Sequence, residues 1–223
     1  MQFRVKTLDK LKVATQTVIA TDARAFYLAR RACRSDANQK WSELTRLVQL
    51  VRQLCPVRVM EIGVDSGATL ALWSELADDH ADLIGVDVAL SADAERKIRS
   101  SMRHSQTLHL LRANSHAKDT RQAVLDIIRA GELDFLFIDG DHSYAGVRAD
   151  WEIYSPLLRQ NGIIAFHDIV PDHRVRFGTK TNSDAGGVYR LWNELKKEFP
   201  YREFIEDPKQ DGYGIGIIRR FAA

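Results

Sequence analysis

The sequence predicts an α/β domain built on an open, mostly parallel sheet, and three observations predict it. Short apolar strands alternate with helical segments, a glycine turn follows the first strand, and the last two strands follow one another with no helix between them. The first strand is Val57 to Ile62, entered after Pro56, and a helix runs from Ala68 to Ala77. Then come strand Leu83 to Asp87, helix Ala92 to Met102, strand Leu108 to Leu111 and helix Arg121 to Ala130. The fourth strand, Leu133 to Ile138, is almost wholly apolar, as a strand covered on both faces should be. A helix over Gly146 to Leu158 and a fifth strand, Gly162 to Phe166, complete the alternation. Parallel strands need such crossovers, so these five lie parallel. After a helix from Val188 to Phe199, strands Tyr201 to Ile205 and Tyr213 to Ile218 are joined by a short connection holding Pro208 and Gly212, and pair antiparallel. Before all this, residues 1–55 read as an N-terminal helical extension, with helices over Ala14 to Arg34 and Trp41 to Leu54. Residues 56–223 form the main domain.

Composition narrows the function. There are 32 basic and 30 acidic residues for a net charge of +2, which gives no reason to expect nucleic acid or a membrane surface as partner. No apolar stretch approaches spanning length, and Met1 to Lys6 lacks the apolar run of a signal peptide, so a cytoplasmic protein is the expectation. Cys33 and Cys55 fit two free thiols rather than a disulfide framework or a zinc site.

Ligands of open α/β sheets bind at the carboxyl ends of the strands. The turn there is Glu61-Ile62-Gly63-Val64-Asp65-Ser66-Gly67, whose two glycines allow a sharp bend and close approach to a ligand. Asp87 ends the second strand, where it can accept from ribose hydroxyls, and Asn114 and Ser115 end the third, where an adenine edge would lie. A pyrophosphate cofactor would be repelled by Asp65, and the glycine spacing is not that of a dinucleotide fingerprint. S-adenosylmethionine carries a sulfonium and an ammonium and no phosphate, so Glu61 and Asp65 suit it better.

With these residues in view, the turn Glu61 to Gly67 resembles motif I of the class I methyltransferases. The run Phe137-Ile138-Asp139-Gly140-Asp141-His142-Ser143-Tyr144, with Asp150, Pro156 and Gly162 to Asp168, resembles a subgroup similar to the sugar and antibiotic O-methyltransferases and to catechol O-methyltransferase. The resemblance covers about residues 56–220. It implies a Rossmann-like seven-stranded sheet with an antiparallel C-terminal hairpin and helices on both faces. It also implies S-adenosylmethionine as cofactor, bound in part by Asp139, and a divalent metal on Asp139, His167 and Asp168. Magnesium is the first expectation, with manganese or another ion admitted by the imidazole. His167 departs from the acidic residue of the catechol-type enzymes. His142 falls where those enzymes place a lysine base, so Asp139 and His142 are the expected catalytic pair.

The chemistry suits this assignment. An alcohol is a weak nucleophile at neutral pH, and a bound cation and a nearby imidazole remedy that. Neighbouring strand ends lie about 4.8 Å apart, so Asp139 and Asp168 would face one small volume. Asp150 reads as an exposed helix-face residue, and His116 as a surface or packing residue. Val170 to Gly187 is polar, aperiodic and basic, and reads as a lid over a small-molecule acceptor. The helical extension suits acceptor recognition or a homodimer contact. Competing assignments are a metal-dependent oxygenase-like enzyme using two histidines and a carboxylate, a nicotinamide oxidoreductase, and a non-catalytic cofactor-binding protein.

Overall fold

The computed structural model describes residues 23–129 and 131–220. The expected helical residues 14–22, and Ala130, lie outside them. Seven strands form one sheet: β1 (Arg58–Ile62), β2 (Asp82–Asp87), β3 (Thr107–Arg112), β4 (Leu133–Ile138), β5 (Leu158–Phe166), β6 (Tyr201–Phe204) and β7 (Ile215–Arg219). Their order is β3-β2-β1-β4-β5-β7-β6, with the first five parallel and β7 antiparallel to both β5 and β6. The chain direction of growth reverses between β1 and β4, which opens a crevice at their carboxyl ends.

Strand alternation sends successive side chains to opposite faces. Val59, Phe135, Phe137, Ile163, Ala165 and Ile217 join one core with helices α1 (Ala23–Arg34), α2 (Trp41–Leu54), α3 (Ala68–Leu76) and α4 (Ala92–Ser101). Met60, Ile62, Ile84, Leu136, Ile138, Ile164 and Phe166 join the other with α5 (Lys118–Ile128), α6 (Tyr144–Tyr154) and α8 (Val188–Glu198). Val59, Phe135 and Phe137 therefore face the N-terminal helices, whereas Leu133, before the register shift against β5, joins the other core; the same parity decides the position of Glu61 and Asp139 below.

The helical extension is built into this architecture. Glu43 of α2 is buried, and its carboxylate accepts from the Glu206 amide (3.0 Å), the Gln210 side chain (2.8 Å) and the Gly214 amide (2.9 Å). Three donors from the hairpin connection compensate the desolvation of that charge and tie α2 to β7.

Two boundaries differ from expectation for local reasons. The helix after Ser143 stops at Tyr154, because Pro156 cannot continue the hydrogen-bond ladder, and a short 3-10 turn follows. β5 then starts at Leu158, with Asn161 at φ +64° where its register against β4 shifts. The loop after Asp168 contains a further short helix, α7 (His173–Phe177), whose first turn is capped by Asp172 accepting from the Val175 amide at 2.8 Å. Asp211 holds the same loop, accepting from the His173 amide, the Thr181 hydroxyl and the Asn182 amide. Among the described residues no helix is long and apolar enough to cross a membrane.

Candidate active site

The crevice is a cleft of about 530 Å³ at the carboxyl ends of β1, β2, β3 and β4. The turn after β1 makes its floor. Gly63 (φ +86°), Asp65 (φ +43°) and Gly67 (φ +77°) all take left-handed backbone, so the chain doubles back and α3 starts at once. A Cβ on Gly63 would stand 2.0 Å from the Asp139 carbonyl oxygen. The tips of β1 and β4 thus touch through backbone, and only glycine permits it. Asp87 organises the same turn: one carboxylate oxygen accepts from the Val64 and Asp65 amides (2.8 and 2.9 Å), the other from the Ala89 amide (2.7 Å).

Of the expected cofactor residues, Gly63, Asp65, Ser66, Asp87, Asn114, Ser115 and Asp139 line the cleft. Gly67 and Glu61 do not. Gly67 shapes the turn against α4, where a Cβ would meet the Ala94 carbonyl at 2.8 Å. Glu61 is fully buried on the α3 face of β1, accepts from the hydroxyl of Thr69, and its other oxygen has no well-formed hydrogen bond among the described residues. Burial pushes its carboxyl well above the usual range, and Thr69 is the residue that reaches the cleft.

Sequence reasoning missed three parts of the wall. Val88 follows Asp87, is 70% exposed and lines the mouth with an apolar side chain; a strand-ending acid followed by valine was the available signal. His116 lies at the third-strand end, and residues 36–39 close the side next to Asp139. The last come from the connection between α1 and α2, for which no local signal exists.

Asp150 is not on an exposed face. It is fully buried, 3.3 Å from the His116 ring, and neither carboxylate oxygen has a well-formed hydrogen bond among the described residues. Burial pushes its carboxyl up to about 6, with Ser115 and His116 opposing and Asp141 adding to the rise. The unfolded chain would titrate near 3.9. The folded state therefore holds this proton more tightly, and the group's contribution to stability falls as pH rises from about 4 to about 6. Asp150→Asn should abolish that fall and gain on the order of 2–3 kcal/mol over wild type at pH 7 relative to pH 4 in urea unfolding. Parallel pH profiles for the two proteins would contradict this.

The chemically dense end lies where β4 and β5 finish. Oxygen and nitrogen atoms of Asp139, His142 and Asp168 approach within 4.8 Å of one another. His142 Nε2 is 3.2 Å from Asp139 Oδ1, and His167 Nδ1 is 3.1 Å from the same oxygen and 3.4 Å from Asp168 Oδ2. The Asp184 carbonyl accepts from His142 Nδ1 at 2.7 Å. A carbonyl can only accept, so Nδ1 carries the hydrogen and Nε2 is the reactive nitrogen. His142 borders the cleft, whereas His167 is 2% exposed beneath it, with Nε2 lacking a partner among the described residues. Asp168 sits at φ +59°, its Oδ1 accepting from the Tyr213 amide at 2.8 Å, which turns Oδ2 toward the imidazoles.

Electrostatics follows from this packing. The hydrogen bond to Asp139 raises His142 to about 9 against the effect of burial, aided by Asp168 and the Asp184 carbonyl. Burial would lower His167, but Asp139 and Asp168 overcome it and raise this ring also to about 9. Burial would raise Asp139, but the two imidazoles outweigh it and hold the carboxyl below its usual range. With both carboxylates ionised and both imidazoles protonated, the cluster carries no net charge. A dication with two neutral imidazoles has the same total charge, so the cluster can exchange protons for a metal without leaving net buried charge. Ligands about 2.1 Å from an octahedral ion stand about 3.0 Å apart, close to the separations seen here. The donors therefore fit a small divalent ion.

Residues 60–169, spanning β1 through the end of β5, match a family profile described as a methyltransferase domain. This part of the chain is a methyltransferase domain. The methyltransferase domain also has curated relatives: an uncharacterised protein of Sinorhizobium fredii, 26% identical over 183 residues (74% of this chain), and one of Acanthamoeba polyphaga mimivirus, 30% identical over 114 residues (49% of this chain). The matched regions span 18% and 50% of those relatives. Among solved structures, the chain is similar to the O-methyltransferase TomG from Streptomyces achromogenes, involved in tomaymycin synthesis and in complex with SAM (S-adenosylmethionine). The TM-score is 0.65 at 17% identity, covering 92% of this chain and 93% of that one. It is similar to a Bacillus cereus O-methyltransferase in complex with SAH (S-adenosylhomocysteine), with TM-score 0.61 at 16% identity over 92% and 94% of the two chains. It is also similar to MycE of the mycinamycin pathway in complex with Mg and SAH, with TM-score 0.59 at 16% identity over 88% and 55%. At these identities the likeness is one of fold, and the chain has the seven strands and terminal hairpin expected from the sequence.

Proposed function

We propose that this chain is an S-adenosylmethionine-dependent O-methyltransferase that methylates a hydroxyl of a small molecule, such as a sugar, a phenol or a natural product, with help from a divalent cation, magnesium first. The observation that carries the reading is the meeting of Asp139, His142 and Asp168 at the edge of the cleft whose floor is the glycine turn. In this reading the turn, Asp87, Val88 and residues 114–116 bind the cofactor, which supplies an activated methyl group. Asp139 and Asp168 would hold the cation with His167 completing the donors from below; such an ion lowers the pKa of a bound hydroxyl.

The two imidazoles divide the remaining work by exposure. His142 borders the cleft, and once a bound cation has replaced the proton it shares with Asp139 its Nε2 is free to receive the acceptor's proton. The Asp184 carbonyl keeps that ring in one tautomer and orientation. Gly187 donates its amide to the His142 carbonyl at 2.7 Å, so the loop after β5 fixes the base as well as flanking it. Displacement at a methyl carbon demands alignment above all, and a base held at both its ring and its backbone meets that demand. The same two imidazoles and one carboxylate would suit an iron oxygenase, but that chemistry has no use for the glycine turn and its Asp87 anchor.

Methyl transfer to a panel of hydroxylated acceptors, with S-adenosylhomocysteine binding followed by calorimetry, tests the reading. Dialysis against EDTA should lower the rate by at least about 100-fold, reversibly with magnesium or manganese, without changing S-adenosylhomocysteine affinity. Full activity without metal would remove the cation from the account, and no cofactor binding would remove the account itself.

A further inference from the structure

One residue of the N-terminal extension reaches the acidic cluster. Gln39, in the connection between α1 and α2, is 7% exposed, borders the cleft, and donates from Nε2 to Asp139 Oδ2 at 2.7 Å. Its own Oε1 is buried without a partner among the described residues. Flipping the amide would set two acceptors against each other, so the chemistry fixes the orientation. An amide held with its oxygen unsatisfied is a poor stability device, and its worth lies in the donor it presents.

Asp139 thus has its two oxygens assigned to different tasks. Oδ1 faces His142 and His167, and Oδ2 is occupied by Gln39. The connection that carries Gln39 is itself held in place. The Ser66 hydroxyl donates to the Asp36 carbonyl at 3.1 Å, Lys97 donates to the Ser35 carbonyl at 2.7 Å, and the Cys33 thiol donates to the Gln39 carbonyl at 3.1 Å.

We propose that Gln39 is a positioning residue for the metal site: by occupying Asp139 Oδ2 it presents Oδ1 as a one-atom ligand, which favours magnesium or manganese over calcium. Calcium commonly takes a carboxylate through both oxygens in a wider, more flexible shell, whereas magnesium demands compact octahedral donors. Hydrogen bonds of this kind orient ligands and influence affinity strongly. The inference rests on the cation reading above and deepens it by giving the extension a role in ion choice.

The test is binding of Mn²⁺ to the full chain, followed by electron paramagnetic resonance without substrate, for wild type, Gln39→Met and Gln39→Ala. Methionine keeps the length and removes the donor; alanine removes both, and either folded variant decides the matter. Mn²⁺ affinity should fall by about 10-fold or more. Competition should show Ca²⁺ losing less, while S-adenosylhomocysteine affinity and melting temperature without metal stay near wild type. Equal Mn²⁺ affinity in a folded variant overturns the role of Gln39, as does an equal loss of S-adenosylhomocysteine affinity, which would make the residue a cofactor wall. No Mn²⁺ binding by wild type overturns both this inference and the cation reading beneath it.

Discussion

Asp139→Ala should reduce methyl transfer by on the order of 10³-fold or more while leaving S-adenosylhomocysteine binding nearly intact. The carboxylate is the one group that both imidazoles and Gln39 address. Its loss removes an expected cation ligand and the charge that orients His142. The cleft floor survives, because the contact that shapes it runs from Gly63 to the Asp139 backbone rather than its side chain. Asp139→Asn keeps the volume and discards the charge, so it should be almost as damaging. Calorimetry beside rate measurements separates the outcomes. Equal loss of binding and turnover would reassign Asp139 from the chemistry to the cofactor wall.

Gly63→Ala should destabilise the domain by about 3–5 kcal/mol and displace Asp139. The added methyl meets the Asp139 carbonyl oxygen at 2.0 Å and its carbon at 2.5 Å, and backbone cannot swing aside as a side-chain end can. The tips are pinned further by the Gly63 amide donating to Val86 and the Asp139 amide donating to Ile62, both at 2.9 Å. Gly67→Ala is the control. It shares the left-handed backbone, and its methyl would also press on backbone, but less deeply, at 2.8 Å from the Ala94 carbonyl oxygen, so it should cost less, about 2–3 kcal/mol. Urea unfolding measures both. Equal costs would show that backbone conformation, not the approach of β1 to β4, is what glycine serves at this turn.

The sheet was legible because its signals are local. Apolar runs such as Leu133 to Ile138 fix strands by composition, and the missing helix before Tyr213 forces the hairpin. The cluster was legible too, since Asp139 and Asp168 sit at strand ends whose adjacency the alternation implies. What failed was anything settled by the third dimension. Glu61 looks like a cofactor residue in the motif, yet strand parity turns it under α3. Asp150 lies in a helix, but its face is covered next to His116. Gln39 meets Asp139 across 100 residues of chain, a distance no spacing rule spans. The loop after Asp168 lacks periodicity because its order comes from Asp211, in the distant connection between β6 and β7.

The most direct measurement is anomalous diffraction from a crystal grown with S-adenosylhomocysteine and Mn²⁺. A single strong peak bounded by Asp139 Oδ1 and Asp168 Oδ2, with the cofactor sulfur facing it across the cleft, is the predicted result. A cofactor seated over the glycine turn with no peak near those carboxylates, or with their oxygens turned from the sulfur, would contradict the idea that two strand tips prepare the acceptor for methylation.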